Sequence, residues 1–235
     1  GQFLDLALVA FLVVLADRAM PGAVWFPGTR LNYAEQALRH QDLDATALVA
    51  RSQTRDPVVL SRRELRDEVA RVRAGLRRLG VEPGDRVAGY LANIPEAAIA
   101  LLATASLGAI WAVCPPEFGV QSVLDRFKQI DPKVLLVVDG YRYGDKTVDR
   151  TSEISEIRSA LPGLAATVWV PYLDHDPVRV PGAMTWSELR ADEQPLEFER
   201  VPFDHPLWIL FSSGTTGVPK AIVHGHGGIT LEPVS

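Results

Sequence analysis

The chain has 235 residues, 47% apolar and 23% charged, the make-up of an ordinary soluble globular protein with length for one large domain or two small ones. A net charge of −5 argues against a nucleic-acid partner and against a polybasic membrane patch. The single cysteine, Cys114, excludes an internal disulfide and a cysteine-rich metal site, and reads as a small core or loop residue; all of this fits a cytoplasmic protein.

Residues 6–16 are an apolar run, too short to span a bilayer. The five residues ahead of it carry an acid and no base, and Ala16-Asp17-Arg18 is a poor cleavage site. A buried segment is therefore expected there, with no membrane partner. Pro27 and Gly28 make a turn. Asn32 then caps a short helix, with Glu35 three residues on in a capping-box arrangement. Apolar runs at 47–50 and 58–60 predict a β-hairpin turning through 52–57. Ser61, with Glu64 at the third position, starts the next helix. Leu65, Val69, Val72, Leu76 and Leu79 repeat at helical spacing, so 61–79 is amphipathic, and Gly80 ends it. Its arginines (Arg62, Arg63, Arg66, Arg71, Arg73, Arg77, Arg78) are mixed with Glu64, Asp67 and Glu68, which predicts a solvated mixed-charge face rather than an RNA-binding one.

From residue 85 the pattern alternates. Strands are predicted at 85–91, 109–113, 133–138 and 166–171, and helices at 95–108, 120–130 and 152–161. This is an α/β fold, a mostly parallel sheet flanked by helices. Ligands on such sheets gather at the carboxyl ends of the strands, here the loops at 92–94, 114–119 and 139–146. The last of these, DGYRYGDK, carries Arg142, Lys146 and two tyrosines. It can grip a phosphorylated nucleotide through charge and stacking, or be a charged surface turn. Residues 174–203 are proline-rich and polar, a connecting segment with a short helix at 186–190.

The chain is organised around residues 207–228, LWILFSSGTTGVPKAIVHGHGG. Residues 207–211 read as a strand buried on both faces. Ser212, Ser213, Gly214, Thr215, Thr216 and Gly217 then form a turn of small and hydroxylic residues. The glycines allow close backbone approach, successive N–H groups can form an anion-binding concavity, and the hydroxyls add donors. Lys220 brings a compact ammonium to a phosphate, and Pro219 favours an extended exit. A Walker loop is excluded, because no Ser or Thr follows the lysine. His224 and His226 alternate on the extended exit and should face opposite sides, so no zinc is expected; they are polar residues at a strand end, or His226 lies on the substrate side.

All ten positions from Phe211 to Lys220 match the phosphate loop [YF]-[ST]-S-G-[ST]-T-G-x-P-K, and the chain resembles the adenylate-forming superfamily of acyl-CoA synthetases, luciferases and adenylation domains. The words WFPGTRLNYAE near the N-terminus are similar to those of the branch that forms short-chain acyl-CoA thioesters. The likeness is closest to its acetoacetate-activating members and runs from about residue 20 to 231. It implies a ligase that uses ATP, Mg²⁺ and coenzyme A to convert acetoacetate through an acyl-adenylate. It implies ATP-phosphate contacts at residues 212–217 and at Lys220, the latter catalytic. Arg142, and more approximately Lys146, would contact coenzyme A, and His226 the substrate. A ligase for acetate or propionate, and a non-catalytic nucleotide-binding protein, stay open as alternatives. The expected organisation is a poorly matching lead-in at 1–24, an α/β subdomain at 25–173, the connecting segment at 174–203 and the phosphate-loop strands at 204–235. The superfamily's later Mg²⁺-, ribose- and lysine-bearing segments have no counterpart in these residues. The chain is therefore expected to be an N-terminal portion, inactive alone and prone to self-association.

Overall fold

The structure is a computed structural model that describes residues 13–173, 180–213 and 217–231. Strand β1 (Leu15–Asp17) pairs antiparallel with β2 (Val24–Trp25). The described end of the first apolar run is not buried: Val13 and Val14 are each 55% exposed. The reason is that β1 and β2 form a ladder of their own and do not join the main sheet; residues 1–12 lie outside the described residues.

Strand β3 (Arg30–Leu31) leads into α1 (Tyr33–Ala37). Asn32 caps α1, its Oδ1 accepting from the N–H groups of Ala34 and Glu35, while its Nδ2 donates to the carbonyls of Ala105 and Glu199 at 2.8 and 2.7 Å. The capping box is not closed. Glu35 is engaged instead by the Arg200 guanidinium at 2.7 and 3.0 Å, two charge-assisted bonds that outcompete one to a backbone N–H. Strands β4 (Thr46–Ala50) and β5 (Val58–Ser61) make the expected antiparallel hairpin. Helix α2 (Arg62–Arg78) follows with a complete capping box between Ser61 and Glu64. Its apolar stripe, Val69, Val72 and Leu76, is fully buried.

The alternating part consists of β6 (Arg86–Tyr90), α3 (Pro95–Ser106), β7 (Ile110–Cys114), α4 (Val120–Ile130) and β8 (Val134–Val138). A small hairpin, β9 (Gly140–Tyr143) and β10 (Lys146–Asp149), replaces the loop expected there. Then come α5 (Thr151–Ser159), β11 (Ala166–Val170), β12 (Met184–Thr185) and α6 (Trp186–Leu189). Strand β13 (Val201–Pro202) pairs with β3, and β14 (Pro206–Ser212), β15 (Lys220–Gly225) and α7 (His226–Leu231) are the last described elements.

Among the described residues, seven strands form one sheet in the order β12-β11-β8-β6-β7-β14-β15, with only the β14–β15 pair antiparallel. Successive side chains on a strand point to opposite faces. Val87, Trp111, Leu136 and Val168 pack against α2, α3 and α6, whereas Ala88, Leu135, Val137 and Ile209 pack against α4 and α5.

Two expectations are corrected here. The arginine face of α2 is not simply solvated: the segment after α6 runs along it. Arg71 pairs with Glu193, Arg78 with Asp192, Arg73 and Arg77 with Glu197, and Arg190 reaches back to Glu68. Nor is β14 buried on both faces. Leu207 and Ile209 are buried, but Leu210 is 50% exposed. Val113, Leu210 and Ile222 are cross-strand neighbours on β7, β14 and β15, and all three are exposed, because the covering side chains, such as Tyr33 edge-on to Trp208, reach only the start of β14.

Candidate functional site

Strands β6, β7, β8, β11 and β14 run parallel, so the segments that follow them share one edge of the sheet. That edge carries the loop after β7, the β9–β10 hairpin after β8 and the turn after β14. The last two are three strand spacings apart, roughly 14 Å.

The turn is held between paired strands. Ser212 and Lys220 are cross-strand partners at the open end of the β14–β15 ladder. Gly217 has φ +94°, a backbone conformation that a β-carbon would strain. Pro219 is buried, while Ser213, Gly217 and Lys220 are exposed. Lys220 has no ion pair among the described residues, so its ammonium is free to meet an anion. Gly214, Thr215 and Thr216 lie outside the described residues.

The β9–β10 hairpin presents its two cations differently. Lys146 faces Tyr143 across the ladder, and Arg142 faces Thr147. Adjacent cross-strand pairs lie on opposite faces, so Arg142 and Lys146 do not share one. Both are exposed, and neither has an ion pair or side-chain hydrogen bond among the described residues. The hairpin is anchored by groups that the sequence did not single out. Arg150 donates through Nε to the Pro116 carbonyl at 2.9 Å, pairs with Glu153 and lies over the Tyr141 ring. Asp139 Oδ1 accepts from the N–H groups of Tyr172 and Leu173. The loop after β7 is fixed by the Tyr90 hydroxyl, which donates toward the carbonyls of Pro116 and Phe118 at 2.9 and 2.6 Å. Burial pushes the Tyr90 phenol up to about 12, so it remains a donor. The bonds to Pro116, Phe118, Tyr172 and Leu173 span 26 to 34 residues in sequence, where no local pattern links the partners.

His226 is not on an extended segment: β15 ends at Gly225, and His226 is the first residue of α7. Its backbone N–H is taken by the His205 carbonyl and that of Gly227 by the Phe203 carbonyl, which turns the chain inward there. The ring is fully buried. Its Nδ1 accepts from the Tyr33 N–H at 3.0 Å, which makes Nε2 the protonated nitrogen, and Nε2 has no partner among the described residues. Burial, and secondarily the His205 ring 5.9 Å away, push its pKa down to about 4. His224, half-buried, packs beside Trp208 instead. Burial likewise pushes the Cys114 thiol up to about 12, which leaves it unreactive at neutral pH. Among the described residues no group of three or more His, Cys, Asp or Glu is arranged to hold a metal, and no helix is long and apolar enough to cross a membrane.

A mostly parallel α/β sheet with a hydroxyl- and glycine-rich turn and an exposed lysine at its carboxyl edge is an arrangement that suits an enzyme binding a nucleotide. The AMP-binding enzyme family matches residues 33–232, and the chain belongs to it. Among solved structures, the acetoacetyl-CoA synthetase from Streptomyces lividans is 53% identical, with a TM-score of 0.87 over 92% of this chain and 33% of that one. An acetoacetyl-coenzyme A synthetase of Rhizobium meliloti (strain 1021) is 47% identical over 94% of this chain and 34% of its own length. An acetoacetyl-CoA synthetase of Macaca fascicularis is 44% identical over 88% of this chain and 32% of its own. The chain thus spans about a third of the length of the curated relatives it matches.

Proposed function

We propose that this chain carries the ATP-phosphate site of an acid–thiol ligase that makes acetoacetyl-CoA. Acetoacetate attacks the α-phosphorus of ATP, forming acetoacetyl-adenylate and releasing pyrophosphate. The thiol of coenzyme A then attacks the acyl carbonyl, and AMP leaves. The observation that carries this reading is the Phe211–Lys220 turn, strung between a strand of the parallel sheet and its antiparallel partner, with Lys220 exposed and without an ion pair among the described residues. The match to acetoacetyl-CoA synthetases over most of the chain supports the choice of acid.

The chemistry asks for positioning and charge neutralisation rather than a protein nucleophile. In this reading the turn at 212–217 cradles the β- and γ-phosphates and Lys220 offsets charge on the departing pyrophosphate. Mg²⁺ would supply further charge neutralisation on the triphosphate. The hydroxyls of Ser212 and Ser213 are oxygen donors of the kind this hard cation takes alongside phosphates and water. Arg142 meets coenzyme A from the β9–β10 hairpin, with Lys146 on the hairpin's opposite face. His226, closed to solvent, serves the substrate side by seating α7 against α1.

The test is pyrophosphate release by the protein that carries this sequence, at its full natural length, with acetoacetate, acetate or propionate. Acetoacetate is expected to give the highest kcat/KM, with AMP and thioester formed in equal amounts. Equal or greater turnover with acetate would assign the site to another short acid. ATP binding with no pyrophosphate release from any acid would favour a non-catalytic nucleotide-binding role.

A further inference from the structure

Helix α4 buries Val123, Leu124, Phe127 and Ile130 and leaves Gln121, Asp125 and Gln129, four residues apart each time, on another face. Gln129 ends this row. Its Nε2 donates to the Asp125 carbonyl of its own helix at 2.6 Å and to the Pro219 carbonyl at 2.9 Å. Both amide hydrogens are therefore used, and the second bond joins positions 90 residues apart.

Pro219 is the last residue of the phosphate turn, and its carbonyl belongs to the same planar unit as the Lys220 N–H. Fixing that oxygen fixes the plane from which Lys220 departs. Among the described residues, no other hydrogen bond ties Ser213 or Gly217–Pro219 to the body of the protein. Gln129 is exposed, so the core does not depend on it, whereas Pro219 is buried. A tether at the exit of the turn removes in advance part of the entropic cost of holding Lys220 on a phosphate.

We infer that Gln129 is a positioning residue for the nucleotide: it holds the Pro219–Lys220 peptide so that the Lys220 ammonium meets the phosphates. This rests on the phosphate-loop reading above and adds a residue from α4, outside the motif, to it. The bond acts through backbone orientation, not through contact with ATP.

Two variants separate the donor from the shape. Gln129→Glu keeps the size and puts an acceptor against the carbonyl; Gln129→Met keeps the length and has no donor. The first readout is amide hydrogen exchange at Lys220 and Ala221 without nucleotide, and the second is the Kd for ATP by calorimetry. In both variants exchange should quicken and the ATP Kd should rise about three- to tenfold, the range for loss of one hydrogen bond, with the melting temperature unchanged. Unchanged exchange and affinity in both variants, with wild-type ATP binding intact, would overturn this inference alone. A melting temperature falling in step with affinity would mark Gln129 as merely structural and overturn it too. A wild-type protein that binds no ATP would overturn the phosphate-loop reading and this inference together.

Discussion

Arg142 and Lys146 leave the β9–β10 hairpin on opposite faces, so one ligand face receives one of them. Arg142, with its planar fork, is the better partner for a phosphate. Arg142→Ala is expected to raise the KM for coenzyme A about tenfold while leaving ATP–pyrophosphate exchange intact, as befits the loss of one exposed charge-assisted contact. Exchange falling as far as thioester formation would give the hairpin another role. His226 belongs to the same scale but acts on stability. Its pKa moves from 6.5 down to about 4 on folding, because a buried ring resists charge. Between those values the unfolded chain binds the extra proton and the folded chain does not. The stabilisation from keeping His226 neutral is therefore complete above pH 6.5 and is lost as pH falls toward 4, by up to about 3 kcal/mol. His226→Asn keeps an acceptor for the Tyr33 N–H and removes the titration. Its melting temperature should decline less than the wild type's between pH 7 and 4.5. Parallel declines would show that another group carries the acid sensitivity.

The elements that hold the site are joined by contacts that depend on chain crossings. Helix α6 approaches α2 so closely that a β-carbon at Gly75 would lie 2.0 Å from the Leu189 carbonyl oxygen. That contact is to backbone, which cannot rotate away. Gly75→Ala should force α6 from α2, loosen the pairing of Asp192, Glu193 and Glu197 with the α2 arginines, and cost about 1–3 kcal/mol. Denaturant unfolding measures this, and a loss below about 0.5 kcal/mol would mean that α6 repacks freely. The helix starts were legible beforehand. Ser61 with Glu64 and Asn32 at α1 lie within a few residues of the groups they bond. Glu35 was misread because its competitor, Arg200, is 165 residues away.

At the scale of the whole molecule, an exposed apolar surface lies among the described residues at the β14–β15 end of the sheet. Val113, Leu210 and Ile222 form an exposed row, and β15, the terminal strand, also exposes Val223. Such an edge pairs and packs readily. Expressed as these 235 residues, the protein should sediment above monomer mass at micromolar concentration, and Leu210→Lys should shift it toward monomer. A monomeric wild type would show that the row is too small to drive association.

Alternation from residue 85, the apolar stripe of α2 and the Phe211–Lys220 turn were determined by sequence alone, because strand, helix and turn preferences act over a few residues. The same locality is what lets Lys220 and its hydroxylic neighbours be proposed as a phosphate site. What tertiary structure decided is how those pieces are held and which faces they show. The acidic cover on the α2 arginines, the half-exposed β14, the burial of His226 at the start of α7 and the Gln129 bond to Pro219 each join residues far apart in the chain. Their identities carry no local signal of the partner, since a hydrogen bond or ion pair depends on proximity that only the folded sheet creates.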